Sequence, residues 1–487
     1  MPRELITIQV GQCGNQIGRR FWQMALEEHA TFNSTGNFDE AMSTFFRNVD
    51  TRYGEYQALD LPVGDGTTPI GSLRARAVLV DMEDGPMTET LRGPLGDLFD
   101  ESQLVRESSG SGSGNNWAQG FYGYGPSHED GIVEALRRSA EMCDSLQSFF
   151  LMHSLGGGTG SGLGTYILSL LGDNFPGVHR FATSVFPSVE QDDVITSPYN
   201  AALACKQLSD HADCVLPVDN SSLTDMAAKV TTSEKGGRHR AGSHGSVRLP
   251  ELVGAQQDPS KAAAEEGFNQ MNDIAARMLT HLTSSMRFPG DLNVDLNEIT
   301  TNLVPFPRLQ YILASFSPLH PTRDERTRPR HLKQMFSDTF SATHQLMRVE
   351  PRNGTVLACA MLMRGDVPVS DVTANIDRLQ SQLKMIYWNR EGFKIGLCST
   401  PPVGHSKSLL CLSNNSCISL RFKQLQEKFS QLYHRKAMVH HYTQLADEHM
   451  FTDALSNLED LIADYEALHA SEPPDESVKI KRLVPAF

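Results

Sequence analysis

Cysteine is scarce and scattered in this chain. The eight Cys at 13, 143, 205, 214, 359, 398, 411 and 417 include no C-x-x-C pair. Neither a zinc site nor a disulfide framework is supported, and free thiols in a reducing compartment are expected. Basic residues are outnumbered, with 43 Lys+Arg against 58 Asp+Glu and a formal charge of −15. That balance argues against a nucleic-acid partner, which a basic surplus would mark. No apolar run approaches the roughly 20 residues that cross a bilayer, so no membrane partner is expected. Arg3 and Glu4 precede a short strand-like run, unlike a secretory signal, so a cytosolic chain is expected. There is no GK[ST], which excludes a P-loop, and no strict G-x-G-x-x-G.

What is present is a globular composition, 39% hydrophobic and 21% charged, over a length that accommodates two to four domains. Leu5–Val10, Arg76–Asp81, Ser148–His153, Phe181–Phe186 and Cys214–Val218 are short apolar runs, each followed by a turn and a helical spacing. This alternation predicts an α/β fold with a parallel sheet covered on both faces, and ligands at the carboxyl ends of the strands. The reading divides the chain into a ligand-binding domain over 1–230, an insertion or flexible surface loop over 231–266, and a core helix within 267–287. A second α+β domain over 288–420, C-terminal amphipathic helices over 421–471 and a flexible tail over 472–487 follow. The 231–266 stretch has no aromatic residue and many Gly, Ser and Ala. Phe422, Leu425, Phe429, Leu432 and Tyr433 form one helical stripe, and Leu455, Leu458, Leu461, Ile462 and Tyr465 another. His434, His440, His441 and His449 lack a clean ligand set and read as surface or packing residues.

The strongest chemical signal is Ser154-Leu-Gly-Gly-Gly-Thr-Gly-Ser-Gly162 after a buried strand. Gly156, Gly157, Gly158 and Gly160 let backbone N–H groups approach an anion, Thr159 and Ser161 add hydroxyls, and a following helix start adds its positive end. Gly11-Gln-Cys-Gly-Asn-Gln16 opens the first helix, where Gln12 and the helix amides could bind phosphate oxygens or a metal-bound water. Gly114-Asn-Asn-Trp117 is a third turn at the same edge. Asp81-Met-Glu83 ends a strand with two carboxylates that suit Mg²⁺, directly or through water.

In order and spacing, GQCGNQIG, LVDME, GSGNNWAQG, SLGGGTGSG, VITSPYN, VDN, RFPGDLNVDLNE and NLVPFPRL resemble the tubulins over nearly the whole chain. FFRNVDTR, LFDESQL, DDVITSPYN, HADCVLP and the long insertion favour the epsilon branch of that family. The resemblance implies a tubulin-like parallel-sheet GTPase domain, a second α+β domain and C-terminal helices, with GTP or GDP and Mg²⁺ as cofactors. It implies nucleotide contacts from Gln12, Cys13, Gln16, Asn115, Ser154, Gly156, Gly157, Gly158, Thr159 and Gly160. It further implies a ribose contact from Asp193, guanine recognition by Asn220 and Asn272, stacking by Phe268, and Mg²⁺ service from Glu83 and Asp81.

Two departures stand out. Ser197 occupies a position where many tubulins carry Glu, and Asn220 and Asn272 lie 52 apart, wider than the family pattern. Asp295 and Glu298, three apart, would share a helix face. They are either an ordinary capping or solvated pair, or the alpha-tubulin-like carboxylates that reach the nucleotide of a stacked subunit and activate water in trans. The resemblance favours the second and hence a weak GTPase. The sequence ends SVKIKRLVPAF, without the Glu-rich tail that recruits motors. The implied protein is a structural subunit of cytoskeletal microtubules in the cytoplasm. Its partners would be other tubulin subunits, head to tail, and centriolar proteins, with a role in centriole and basal-body assembly and triplet microtubules. A GTP-bound adaptor that caps tubulin polymers without hydrolysis is the alternative.

Overall fold

The structure, a computed structural model, describes residues 3–33, 40–50, 59–63, 68, 70–107, 112–188, 194–238, 259–319 and 330–473. The first strand β1 (Glu4–Val10) runs straight into helix α1 (Gly11–Phe32). Then come β2 (Phe46–Asp50), β3 (Leu59–Leu61), β4 (Ser72–Ala75), β5 (Ala77–Asp81), α2 (Asp84–Arg92) and β6 (Leu104–Arg106). α3 (Gly125–Glu141), β7 (Leu146–Ser154), α4 (Gly164–Asn174), β8 (His179–Phe186), α5 (Ser197–His211) and β9 (Cys214–Asp219) complete the alternation.

Six of these strands form one parallel sheet in the order β6-β5-β1-β7-β8-β9. β5 is buried along its whole length and reads as an almost continuous apolar run, whereas β1 is equally buried although Glu4, Thr7 and Gln9 interrupt its apolar residues. Parallel pairing brings Gly11, Asp81, Ser154, Phe186 and Asp219 to one edge of the sheet. The run Arg76–Asp81 is not one strand. Arg76 lies between β4 and β5, which belong to different sheets, and its buried guanidinium is held by the Glu4 carboxylate and the Ser43 carbonyl.

α6 (Asn220–Arg238) and α7 (Pro259–Leu282) pack together, followed by α8 (Ser284–Arg287). Both ends of the 231–266 stretch are therefore helical, and residues 239–258 lie outside the described residues. Ala262–Glu266 carries good helix formers, which the reading by Gly and Ser content underweighted. The helix expected over Phe268–Met286 starts earlier and is broken at Thr283. The second domain comprises α9 (Leu296–Leu303), β10 (Leu313–Ser317), α10 (Leu332–Asp338), β11 (Val356–Arg364), α11 (Val369–Gln380), β12 (Phe393–Cys398) and β13 (Ser408–Asn415). Its sheet order is β10-β13-β11-β12.

α12 (Ser419–Tyr433), the short α13 (Val439–Tyr442) and α14 (His449–Ala470) close the fold. The two predicted stripes face inward on α5, where Tyr199 meets Phe429, Tyr442 and Phe451 with ring centroids 5.2, 5.7 and 5.0 Å apart. Residues from 474 onward, most of the expected tail, lie outside the described residues. No helix among the described residues is long and apolar enough to cross a membrane.

Candidate nucleotide site

Three chain turns meet at the carboxyl edge of the sheet. Gly11 has φ +71, and a Cβ there would lie 3.1 Å from the Gly160 amide nitrogen. The start of α1 and the glycine loop are thus in backbone contact, an approach open only to glycine. The loop after β7 passes Gly156, Gly157 and Gly158 and winds through a wide turn, Thr159–Leu163, into α4. The third turn lies against it. Ser113 and Thr159 share a hydroxyl hydrogen bond at 2.9 Å, and Asn115 adopts the left-handed region at φ 54. The Asn115 side chain lies over Gly157, whose Cβ would sit 3.8 Å from Asn115 Oδ1. Two helix starts and a run of backbone amides converge here, the arrangement that binds phosphate.

Two polar residues not anticipated from sequence hold this cradle. Asn200 is fully buried. Its Nδ2 donates to the carbonyls of Asn115 and Gly156, each at 2.8 Å. Its Oδ1 accepts from the Trp117 amide at 2.9 Å and the Tyr442 hydroxyl at 2.6 Å. The four bonds use its whole capacity. His153, also fully buried, bridges the Gly160 carbonyl and Ser184 Oγ, both at 2.8 Å. Burial lowers its pKa to about 4, so the ring is neutral, with Nδ1–H donating to Gly160 and Nε2 accepting from Ser184.

That neutrality has a measurable consequence. An unfolded His titrates near 6.5, so between pH 6.5 and 4 the unfolded chain holds more protons. Stability is intact above pH 6.5 and falls as acid approaches the folded pKa. Lowering the pH from 7.5 to 5 is expected to cost about 2 kcal/mol through His153. The urea midpoint of His153→Gln should be lower at pH 7.5 and fall less on acidification than that of the wild-type chain. Equal pH slopes would show that His153 is not buried as the neutral form.

The acidic side is built by β5. Asp81 is buried, its Oδ1 accepts the Glu83 amide at 3.2 Å, and its Oδ2 has no hydrogen-bond partner among the described residues. Loss of solvent raises its pKa to about 6. Asn15 anchors the corner, donating to the carbonyls of Gly11 at 3.0 Å and Val80 at 3.3 Å. Gly112 (φ +59) has no room for a Cβ against the Glu83 carboxylate. An unsatisfied buried carboxylate oxygen beside a phosphate cradle fits a divalent cation or its bound water. No group of three His, Cys, Asp or Glu among the described residues is arranged to hold a metal by itself.

On the far side, Asn220 opens α6 and Asn272 lies in α7. Thr224 Oγ1, one turn after Asn220, donates to Met271 Sδ at 3.2 Å, and Asn272 Nδ2 reaches Gln16 Oε1 at 3.4 Å. The two asparagines therefore flank the seam between α6, α7 and α1. Gln12 is exposed and Cys13 half-buried, with its thiol pushed up to about 12 by burial. Phe268 is 56% exposed. Asp193 lies outside the described residues. The Ser197 hydroxyl is turned onto the Gly156 carbonyl at 3.4 Å.

Asp295 and Glu298 sit elsewhere. Asp295 is the residue before α9 rather than part of it, and its carboxylate caps the helix by accepting the Glu298 amide at 2.7 Å. Arg3 and Gln147 also bind that carboxylate. Glu298 is 40% exposed and pairs with Lys394 Nζ at 2.9 Å. Asn297 bonds Ser148 at the start of β7. The glycine loop leaves the other end of that strand, about 20 Å away at some 3.3 Å per residue. Glu298 cannot serve the cradle of its own chain.

A parallel sheet whose edge carries a glycine-rich anion cradle, joined to a second α+β domain and a helical cap, defines a nucleotide-binding α/β protein. The Tubulin/FtsZ family, GTPase domain model matches residues 4–228, and the Tubulin C-terminal domain model matches residues 307–427. The chain is 51% identical over 473 residues to the tubulin epsilon chain of Homo sapiens, covering 96% of both, and matches that of Mus musculus equally. It is 33% identical over 467 residues to the tubulin beta-3 chain of Zea mays, covering 95% of both. The chain belongs to the tubulin family, and its resemblance to the epsilon branch holds along almost its full length.

Proposed function

We propose that this chain is a GTP-binding structural subunit of the epsilon-tubulin type that stacks head to tail on other tubulin subunits. It acts in centriole and basal-body assembly, in forming or stabilising triplet microtubules, among centriolar proteins of the cytoskeleton. In this reading Ser154, Gly156, Gly157, Gly158, Thr159, Gly160 and Asn115 receive the phosphates. Gln12, Cys13 and Gln16 line the nucleotide, Asp193 meets the ribose, Asn220 and Asn272 read guanine, and Phe268 covers the base. Asp81 and Glu83 would hold Mg²⁺ through water, where the cation neutralises phosphate charge.

The observation that carries the reading is the separation of the cradle from Glu298 by the length of β7. A cradle at one end and a partly exposed carboxylate at the other suit subunits that complete each other's sites on stacking. Glu298 would orient the attacking water in trans. Asp295, committed to its cap, would position that helix rather than touch the water. One observation favours the adaptor as a second reading: the Lys394 ammonium already engages Glu298, and it must be displaced before the carboxylate can act.

Nucleotide content and turnover of the purified chain, alone and with alpha/beta-tubulin, separate the two readings. GTP bound by the isolated chain and hydrolysed only on adding a partner is the expected result. Bound nucleotide without turnover in either condition supports the cap. Glu298→Ala should leave binding to the isolated chain intact and slow hydrolysis on the stacked subunit by about 10²-fold or more. Loss of the mutant's own nucleotide would overturn the trans role.

A further inference from the structure

The exposed turn after α12 is held in an unfavourable shape. Lys436 (φ 51) and Met438 (φ 58) both adopt the left-handed region without being glycine, at a cost of about 1 kcal/mol each. Such strain persists only where the surroundings over-determine it, and here three clamps come from one place. Tyr199 donates its hydroxyl to the Ala437 carbonyl at 3.0 Å. Asn116 Nδ2 donates to the His441 carbonyl at 3.0 Å, and the Tyr442 hydroxyl donates to Asn200 Oδ1 at 2.6 Å. Asn116 adjoins Asn115 in the cradle, and Asn200 binds the Asn115 and Gly156 carbonyls directly.

We propose that Asn200 is a positioning residue of the phosphate cradle and that, through Tyr442 and Asn116, it couples occupancy of the cradle to the surface turn 435–441. The inference rests on the reading of the cradle as a GTP site. Its physical basis is saturation. The Asn200 amide is planar and makes all four of its bonds, so a movement of the Asn115 or Gly156 carbonyl tilts the group and breaks or tightens the Tyr442 bond. Arg435, Lys436, His440 and His441 are exposed on this turn, so its state is legible to whatever contacts that face.

The test is hydrogen–deuterium exchange of segment 434–443 in the full chain, with and without GTP and Mg²⁺, with bound nucleotide quantified in the same samples. Exchange of the Lys436, Ala437 and Thr443 amides, bonded to Tyr433, Leu432 and Val439, is expected to slow about tenfold on binding. Tyr442→Phe removes only the hydroxyl. It should keep its nucleotide while the response falls below about twofold. Asn200→Asp keeps the acceptor but loses both donors, and should lose nucleotide and response together. Bound nucleotide with no change in exchange, or a full response in Tyr442→Phe, overturns the coupling and leaves the GTP site standing. Absence of bound nucleotide in the wild-type chain removes both.

Discussion

Gly158→Ala is expected to abolish nucleotide retention. A Cβ at this position would lie 2.6 Å from the Asn116 amide nitrogen and 2.7 Å from its carbonyl oxygen, and would strike Ser113 Oγ as well. Two of those atoms are backbone and cannot swing aside, so the glycine loop and the Asn115 turn must separate. Gly158 has an ordinary right-handed backbone (φ −92), so the effect is steric rather than conformational. Overpacking of this kind costs about 1–3 kcal/mol of stability. If these amides receive the phosphates as proposed, displacing them should weaken binding by about 100-fold or more, roughly 3 kcal/mol. Gly157→Ala provides the comparison. Its Cβ would meet only Asn115 Oδ1 at 3.8 Å and Ser154 Oγ at 3.9 Å, both ordinary contacts, so the fold should be unaffected. Weakened binding in Gly157→Ala at unchanged Tm would locate the phosphates against residue 157. Retention within threefold of wild type in Gly158→Ala would show that the loop is no cradle.

The sheet was legible in the sequence because a strand buried on both faces announces itself as an uninterrupted apolar run, as in Ser148–His153. The turns were legible for a related reason: close backbone approach requires glycine, and Gly11 and Gly158 each face backbone atoms of another segment. What escaped was set by partners far along the chain. Asn200 and His153 are single polar residues in apolar surroundings, and no periodicity distinguishes a buried hub from an exposed side chain. Asn200 has partners 85 and 242 residues away. Arg76 likewise sits inside an apolar run, and only its distant partners, Glu4 and the Ser43 and Met142 carbonyls, explain why the strand divides there. Asp295 was different, since a signal was present. Asp295-Leu-Asn-Glu298 has the spacing of a helix-capping box, and the structure realises half of it, with the Asp side chain accepting the Glu amide. Of the two alternatives that the sequence left open for the pair, capping is the one that Asp295 realises within its own chain.

The largest loss of stability is expected from Glu28→Gln, far from the cradle but on the same helix. Glu28 lies near the end of α1, 5% exposed, and its two oxygens take one guanidinium each. Arg287 Nη2 is 2.6 Å away and Arg364 Nη1 is 2.7 Å away, and both arginines are buried. Arg287 follows α7 and Arg364 ends β11, so one carboxylate joins α1, the core helix and the second domain. Two cations against one anion leave a net positive charge in the interior. Arg287 also donates to the Thr283 hydroxyl and the Thr280 carbonyl, and Arg364 to the Thr400 and Pro401 carbonyls, while Arg287 Nη1 is buried with no acceptor among the described residues. Phe288 lies beneath both guanidinium groups, at 5.0 and 5.7 Å. The glutamine variant keeps the shape and removes the only carboxylate that faces them among the described residues. Arginine does not shed its proton, so two buried cations remain uncompensated, at a cost of about 3–5 kcal/mol. Arg364→Met should cost less. It leaves Glu28 and Arg287 as a neutral pair, and the thioether fills part of the vacated space. The exposed pair Arg19–Glu89 sets the lower bound, with Glu89→Gln changing stability by less than about 1 kcal/mol. Urea midpoints of the three variants test the order. If Arg364→Met proves as costly as Glu28→Gln, packing rather than charge balance holds the junction between the two domains.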